Sequence, residues 1–336
     1  MKKLFSLLLI LAFVPVFLTT GCKKDKVKTD FEILTEYAGQ NHLDLADILD
    51  GWVKPGSKLN VNTEDFSIPD YYVMDFRKAA DFEKGHIKDA HNVTMSGLLD
   101  EAEKAGGKTI LCVCYTGQTA ARATGLLRMA GYKAVSLKWG MAAWHEDFAG
   151  KWNANATDYD SPNWVTSGDP AATAEYSSPS FSTGKSDGAD VLKERINKAI
   201  ANSSWTIKKT DVLANPGNYF INNFWPPESW NEYGHIKGAY RISDLKLEKL
   251  KNLDPEETIV TYCYTGQTSS IVTSWLHVMG YDKAKSLLFG ANGIVYSKLL
   301  TGTAGSAPKK SWKGPGSASK LNFGYYDKDG TLHGPK

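Results

Sequence analysis

The six residues Cys114-Tyr115-Thr116-Gly117-Gln118-Thr119 recur unchanged as Cys263-Tyr264-Thr265-Gly266-Gln267-Thr268. In both places an apolar run, TILCVC or TIVTYC, leads directly into the cysteine, and a segment of helical periodicity follows. A cysteine at the carboxyl end of a parallel strand and before a helix lies where open α/β sheets bind their ligands. Backbone N–H groups curled round that sulfur, together with the positive end of the helix, favour the thiolate and lower its pKa. Gly117 and Gly266 permit such curvature. A cysteine can also close a buried strand as a small apolar residue, but duplication of the entire loop weights chemistry over packing.

Neighbouring residues are read the same way. Cys112 lies two residues before Cys114 and so shares its face of the strand; a disulfide over so short a span is strained, and the second copy has Thr261 there. Cys112 is therefore read as packing, with resolution of an oxidised Cys114 as its other role. Asp75 and Arg77 are expected to form a structural ion pair. Lys138, at the end of the next strand, is the candidate cation for the first site, with Leu288 or Phe289 in the corresponding region of the second. A phosphatase reading would need an arginine six residues after the cysteine, where Ala120 and Ser269 stand.

The elements that position these loops are duplicated too. An offset of 149 residues, fixed by Cys114 and Cys263, also carries Gly85-His86-Ile87-Lys88 onto Gly234-His235-Ile236-Lys237 and Gly131-Tyr132 onto Gly280-Tyr281. Strand, cysteine loop, helix, strand is a parallel α/β unit, and the chain is a tandem of two such domains. Thr119 and Thr268 are the expected helix N-caps, with Gly131 and Gly280 as left-handed residues after the helix. The expected organisation is a signal peptide over 1–21, a tether over 22–39, domain one over 40–150, a linker over 151–188, domain two over 189–300 and a C-terminal tail over 301–336. The DKDG within the tail lacks the acidic twelfth position of a calcium loop and reads as a turn.

The chain opens with Lys2 and Lys3, an apolar run from Leu4 to Leu18 and small residues before Cys22, the pattern of an export signal. Losing residues 1–21 removes two lysines and brings the formal charge from +2 to 0. A neutral chain has no polyanion footprint, which argues against nucleic acid as a partner. With Cys22 set aside, three cysteines do not make a disulfide framework.

The first segment resembles a bacterial lipoprotein signal, which implies that Cys22 receives the lipid, that the chain is exported and that it is membrane-anchored in the cell envelope, facing the periplasm or the surface. The remainder resembles the rhodanese superfamily of sulfurtransferases, whose loop has the form C-x-x-G-x-[R/T]-[A/S]. Cys114 through Ala120 and Cys263 through Ser269 are similar to that pattern. In the first copy DFRKAADFEKGHIKDAHNV and LKWGMAAW are similar to other family motifs, so it is the closer match.

The resemblance implies two tandem rhodanese-like domains, each a mainly parallel sheet flanked by helices. Cys114 and Cys263 would be catalytic, with Tyr115, Thr116, Gly117, Gln118, Thr119, Ala120, Tyr264, Thr265, Gly266, Gln267, Thr268 and Ser269 as the active-site loops. It further implies a cysteine persulfide intermediate with no metal or organic cofactor. The partners would be a small donor such as thiosulfate, mercaptopyruvate or polysulfide, and a thiol, cyanide or protein acceptor. His86 and His235 would shape the fold. Thiosulfate users of the family often place Arg and Lys just after the cysteine; this chain has Tyr-Thr in both copies, and Asn222 and Asn223 occupy the region of the D-x-R in the second. The alternative is a rhodanese-like binding or sulfur-carrier module without turnover.

Overall fold

The computed structural model describes residues 27–314 and 322–335; Cys22 and the signal segment lie outside them. The strands are β1 Val53–Lys54, β2 Tyr71–Asp75, β3 His91–Asn92, β4 Thr109–Val113, β5 Ala134–Leu137, β6 Trp164–Val165, β7 Thr206–Ile207, β8 Phe220–Asn223, β9 His235–Ile236, β10 Ile259–Tyr262, β11 Lys285–Leu287, β12 Tyr325–Tyr326 and β13 Leu332–His333. One sheet has the order β1-β5-β4-β2-β3 and the other β7-β11-β10-β8. All pairings within these two sheets are parallel. The place of β3 in the second sheet is held by a single parallel bridge, Asn222 to Tyr240.

Both sheets are covered on both faces, as parallel sheets require. Ile110, Cys112 and Cys114 face one core, whereas Leu111 and Val113 face another with Leu137 and Trp144. The same alternation sends Ile259 inward and Val260 and Tyr262 outward. The inward core is shared. It is filled by the helices Gln118–Met129 and Gln267–Val278, which follow the two cysteine loops and pack against each other between the sheets. Gly125 and Ser274, related by the 149-residue offset, meet at this crossing: a Cβ on Gly125 would lie 2.4 Å from Ser274 Oγ.

Three segments expected to be loose are partly ordered. Within 22–39, assigned to the tether, a helix begins at Asp30 and runs to Gln40. Thr29 and Glu32 form its capping box, and Leu34 and Ala38 are buried. Within 151–188, assigned to the linker, Trp152 is buried and β6 pairs with β9. In the tail, β12 and β13 form a hairpin whose DKDG turn is held by Asp327 Oδ1, which accepts from Asp329 N and Thr331 N at 3.0 Å each. This hairpin returns to the first domain, where Trp144 Nε1 donates to Gly324 O at 2.9 Å. Among the described residues no helix is long and apolar enough to cross a membrane.

Candidate active site: two facing cysteine loops

Each cysteine ends its strand and turns into a glycine in the left-handed region, Gly117 at φ 82° and Gly266 at φ 76°. These glycines, not Thr119 and Thr268, are the helix N-caps, which corrects the expectation from sequence. A glycine offers no side chain to the orphan N–H groups of the first turn. The sulfur takes that role. Ala120 N donates to Cys114 Sγ at 3.3 Å, and Ser269 N donates to Cys263 Sγ at 3.4 Å. In the second loop Ser269 Oγ also lies 3.6 Å from Cys263 Sγ and is joined to Ser286 Oγ at 2.8 Å.

Behind each loop the next turn closes tightly. Met141 N donates to Cys114 O at 2.8 Å and Ala291 N to Cys263 O at 2.9 Å. Cys114 and Cys263 are 2 % and 3 % exposed. Burial pushes the Cys114 thiol above its ordinary pKa, and the N–H groups of Ala120, Thr116 and Gly117 offset only part of that shift. The expected nest is therefore present, but the expected net lowering of the thiol pKa is overturned at Cys114 by desolvation. Cys112, wholly buried beside it, is pushed up to about 12 for the same reason. All three described cysteines are free.

The fifth residue of the hexapeptide joins the two halves. Gln118 Oε1 accepts from Phe289 N at 2.8 Å, and Gln267 Oε1 accepts from Trp139 N at 3.0 Å. Each loop thus satisfies a backbone donor in the other half, at two residues that themselves have positive φ, 67° at Trp139 and 62° at Phe289. The glycines make room for this exchange, since a Cβ on Gly117 would lie 2.4 Å from Gln267 Oε1 and one on Gly266 2.3 Å from Gln118 Oε1.

The rhodanese-like domain family matches residues 59–147 and again 220–295, and each match contains one cysteine loop. The chain carries two rhodanese-like domains in tandem. Among solved structures it is similar to a rhodanese-related protein of Thermoplasma volcanium, at 24% identity over 27% of this chain and 88% of that one, with TM-score 0.24. It is similar to the thiosulfate sulfurtransferase of Pseudomonas aeruginosa at 13% identity, covering 79% of this chain and 47% of that one, TM-score 0.29. A third likeness is to the 3-mercaptopyruvate sulfotransferase of Escherichia coli, at 17% identity over 72% of this chain and 98% of that one, TM-score 0.26. Comparison with curated proteins gave no match.

The other residues of the rhodanese-like loops have mainly structural partners. Thr116 Oγ1 accepts from Gln118 Nε2 at 3.0 Å, and Thr265 Oγ1 accepts from Gln267 N at 3.2 Å. Thr119 and Thr268 sit in the first turn of their helices. The Tyr115 hydroxyl donates to Asp81, while Tyr264 OH meets Ser229 Oγ at 2.6 Å. Asp75 and Arg77 form a buried ion pair in which Arg77 Nη2 reaches Asp75 Oδ2 at 2.6 Å and also donates to Gly85 O at 2.6 Å. His86 stacks on Phe82 and His235 on Trp230, each from its own short helical turn.

Cations do reach the two loops, but from elsewhere in the chain. Lys151 Nζ sits 3.4 Å above the Tyr115 ring, and Lys310 Nζ sits 5.5 Å from the Tyr264 ring centroid, both within cation–π range. Lys138, expected to serve the first loop, lines a crevice with Thr265, Gln267 and Thr268 of the second. Sequence reasoning missed Lys151 and Lys310 because neither lies near its loop in the chain, and it assigned Lys138 to the wrong loop. The glutamine exchange had one signal: Gln118 and Gln267 are the same residue at the same place in a duplicated loop.

Proposed function

We propose that the chain is a sulfurtransferase that carries sulfane sulfur on Cys114 and Cys263 and is held to the cell envelope through lipid on Cys22. The observation that carries this reading is the paired geometry at the sulfurs: each strand-ending cysteine accepts the N–H of the third residue of the helix that follows, at 3.3 and 3.4 Å. Oriented amides of this kind stabilise charge on a thiolate or on the outer sulfur of a persulfide. With thiosulfate as donor, the thiol first gives up its proton and the thiolate attacks the outer sulfur. The donor S–S bond breaks, sulfite leaves with the electron pair, and the cysteine keeps one added sulfur as the persulfide anion. Cyanide or a thiolate then takes that outer sulfur and returns the cysteine thiolate. The sulfur travels on the protein itself, so the reading calls for no metal or organic cofactor, and it assigns no role to nucleic acid.

The near-complete burial of both sulfurs and the raised pKa of Cys114 favour a second reading, a module that holds sulfur or docks a partner without turnover. Mass spectrometry after incubation with thiosulfate, mercaptopyruvate or polysulfide separates the two. One added sulfur on Cys114 or Cys263, discharged by cyanide and lost in the corresponding Cys114→Ser or Cys263→Ser variant, is expected. Absence of a persulfide with all three donors sinks the enzyme reading; a persulfide that no acceptor discharges leaves the carrier module.

A further inference from the structure

A crevice of about 80 Å³ lies where β1, the end of β5, the C-terminal tail and the second cysteine loop meet; Lys138, Lys310, Thr265, Gln267 and Thr268 line it together with the apolar Trp52 and Val53. It is far smaller than the roughly 300–1,000 Å³ of sites for organic ligands, so it can take only a small ion or molecule.

Its charge is one-sided. Burial disfavours protonation of Lys138, and the nearby ammonium groups of Lys310 and Lys309 add to that effect. Among the described residues no carboxylate pairs with any of these three lysines. Lys138 Nζ gives one hydrogen bond, to Lys309 O at 3.0 Å, which leaves two of its three donors for another acceptor. Lys310 reaches over Tyr264, the residue that follows Cys263. Gln267 and Thr268, which also line the crevice, are the first two residues of the twelve-residue helix Gln267–Val278, whose N-terminus adds positive potential. Two half-buried ammonium groups from distant parts of the chain, held together without a counter-charge, are an arrangement that an anion stabilises.

The arrangement is not duplicated. Ser136 and Ser286 hold equivalent places in β5 and β11, so the counterpart of Lys138 is Leu288. Near Leu288 the lysines are the chain neighbours Lys208 and Lys209, and Lys209 donates to Gly293 O.

We propose that this crevice binds a small divalent oxyanion between the two domains, with Lys138 and Lys310 as its cationic walls. On the sulfurtransferase reading, from which this second step follows, it holds an anionic sulfur donor beside the Cys263 loop, supplying from the other domain and the tail the charge that the loop lacks.

Binding is tested apart from chemistry in the mature chain with both Cys114→Ser and Cys263→Ser, titrated with thiosulfate and with sulfate by calorimetry at low salt. One saturable site is expected, weakened tenfold or more by Lys138→Gln and by Lys310→Gln, and restored by Lys138→Arg. Absence of saturable binding, or affinity indifferent to both glutamine substitutions, overturns the proposal. In chains with Cys263 intact, Lys138→Gln should slow persulfide formation from thiosulfate at least tenfold while leaving unchanged the reaction with an uncharged organic trisulfide. In that reaction the Cys263 thiolate attacks the central sulfur, one S–S bond breaks and an alkyl thiolate leaves to give a mixed trisulfide. Lysine-dependent binding without any persulfide would keep the anion site and refute the sulfurtransferase reading. Persulfide formation on Cys263 from thiosulfate that ignores both lysines would do the reverse.

Discussion

The two cysteine loops share a sequence but sit in different electrostatic surroundings. Beside the first, Asp75 pairs with Arg77 in a fully buried bidentate contact, and Asp75 Oδ1 also accepts from Arg77 N at 2.9 Å. In the second, Asn223 holds the register of Asp75, opposite Tyr262 as Asp75 is opposite Val113. Its Oδ1 accepts from Trp225 N at 3.2 Å, and its Nδ2 donates to Tyr262 OH at 2.6 Å. The turn geometry has been kept and the charges replaced by neutral hydrogen-bonding groups. A buried carboxylate near a thiol raises its pKa, as Asp75 does for Cys114; the second loop has an amide there instead. Divergence in the D-x-R region therefore alters the environment of the sulfur while leaving the loop that presents it intact.

The comparison can be broken most forcefully at the ion pair. Arg77→Met strands Asp75 as a buried charge and is expected to destabilise the first domain by about 3–5 kcal/mol in denaturant unfolding. Asn223→Ala removes a neutral acceptor and should cost only about 1–3 kcal/mol. Equal losses would show that the charged and neutral versions of this turn are energetically interchangeable.

A second difference lies on the helices. Arg128 Nε and His277 Nε2 occupy equivalent positions and bond the equivalent carbonyls of Ala134, at 3.0 Å, and Ala284, at 2.7 Å. His277 is held down to about 4 by burial, and its Nδ1 has no acceptor to receive a proton. Between its ordinary value of 6.5 and about 4 the unfolded chain takes up the proton first, so stability falls as pH falls through that window, by about 3 kcal/mol in all. Unfolding measured at pH 7 and pH 4 should show this loss, and His277→Gln should abolish it. An unchanged acid dependence in the variant would remove His277 as the cause.

The glutamine exchange sharpens the comparison further. Gln267→Ala leaves the fully buried N–H of Trp139 without a partner and should cost about 1–3 kcal/mol, whereas Gln118→Ala exposes the less buried Phe289 N and should cost about 1 kcal/mol. A double-mutant cycle that is additive would mean that the two bonds act independently.

The smallest expected effect is at Cys112. Its thiol is pushed up to about 12, so the unfolded chain ionises first and stability falls as pH rises above about 9. From pH 9 to 10 this group contributes about 1 kcal/mol of loss, and Cys112→Thr, which copies Thr261, should flatten that slope by the same amount. A slope unaffected by the substitution would assign the alkaline loss to other groups.

Much of this molecule was legible in its chain. The strands around TILCVC and TIVTYC, the helix behind each loop and the left-handed Gly131 and Gly280 follow from local periodicity and turn chemistry. The N-caps were misread because capping by threonine is a local rule; here a glycine holds each N-cap, and the sulfur of the cysteine before it accepts the N3 N–H that a capping side chain at the glycine's position would take. The net direction of the Cys114 pKa was misread for a related reason. Amides near a sulfur can be inferred from the loop, but desolvation depends on everything that covers it.

By itself the sequence determined the duplication, the two parallel sheets and the pair of strand-ending cysteines, because strand, loop and helix signals act over a few residues and repeat at a constant offset. Only the tertiary structure decided that the two loop helices share one core, that Gln118 and Gln267 each bond across to the other domain, and that Lys138 and Lys310 converge on the second loop. Those contacts join residues far apart in the chain, such as Gln118 with Phe289. They exist only once both sheets are closed around the helices and buried polar groups must find partners in whatever lies opposite.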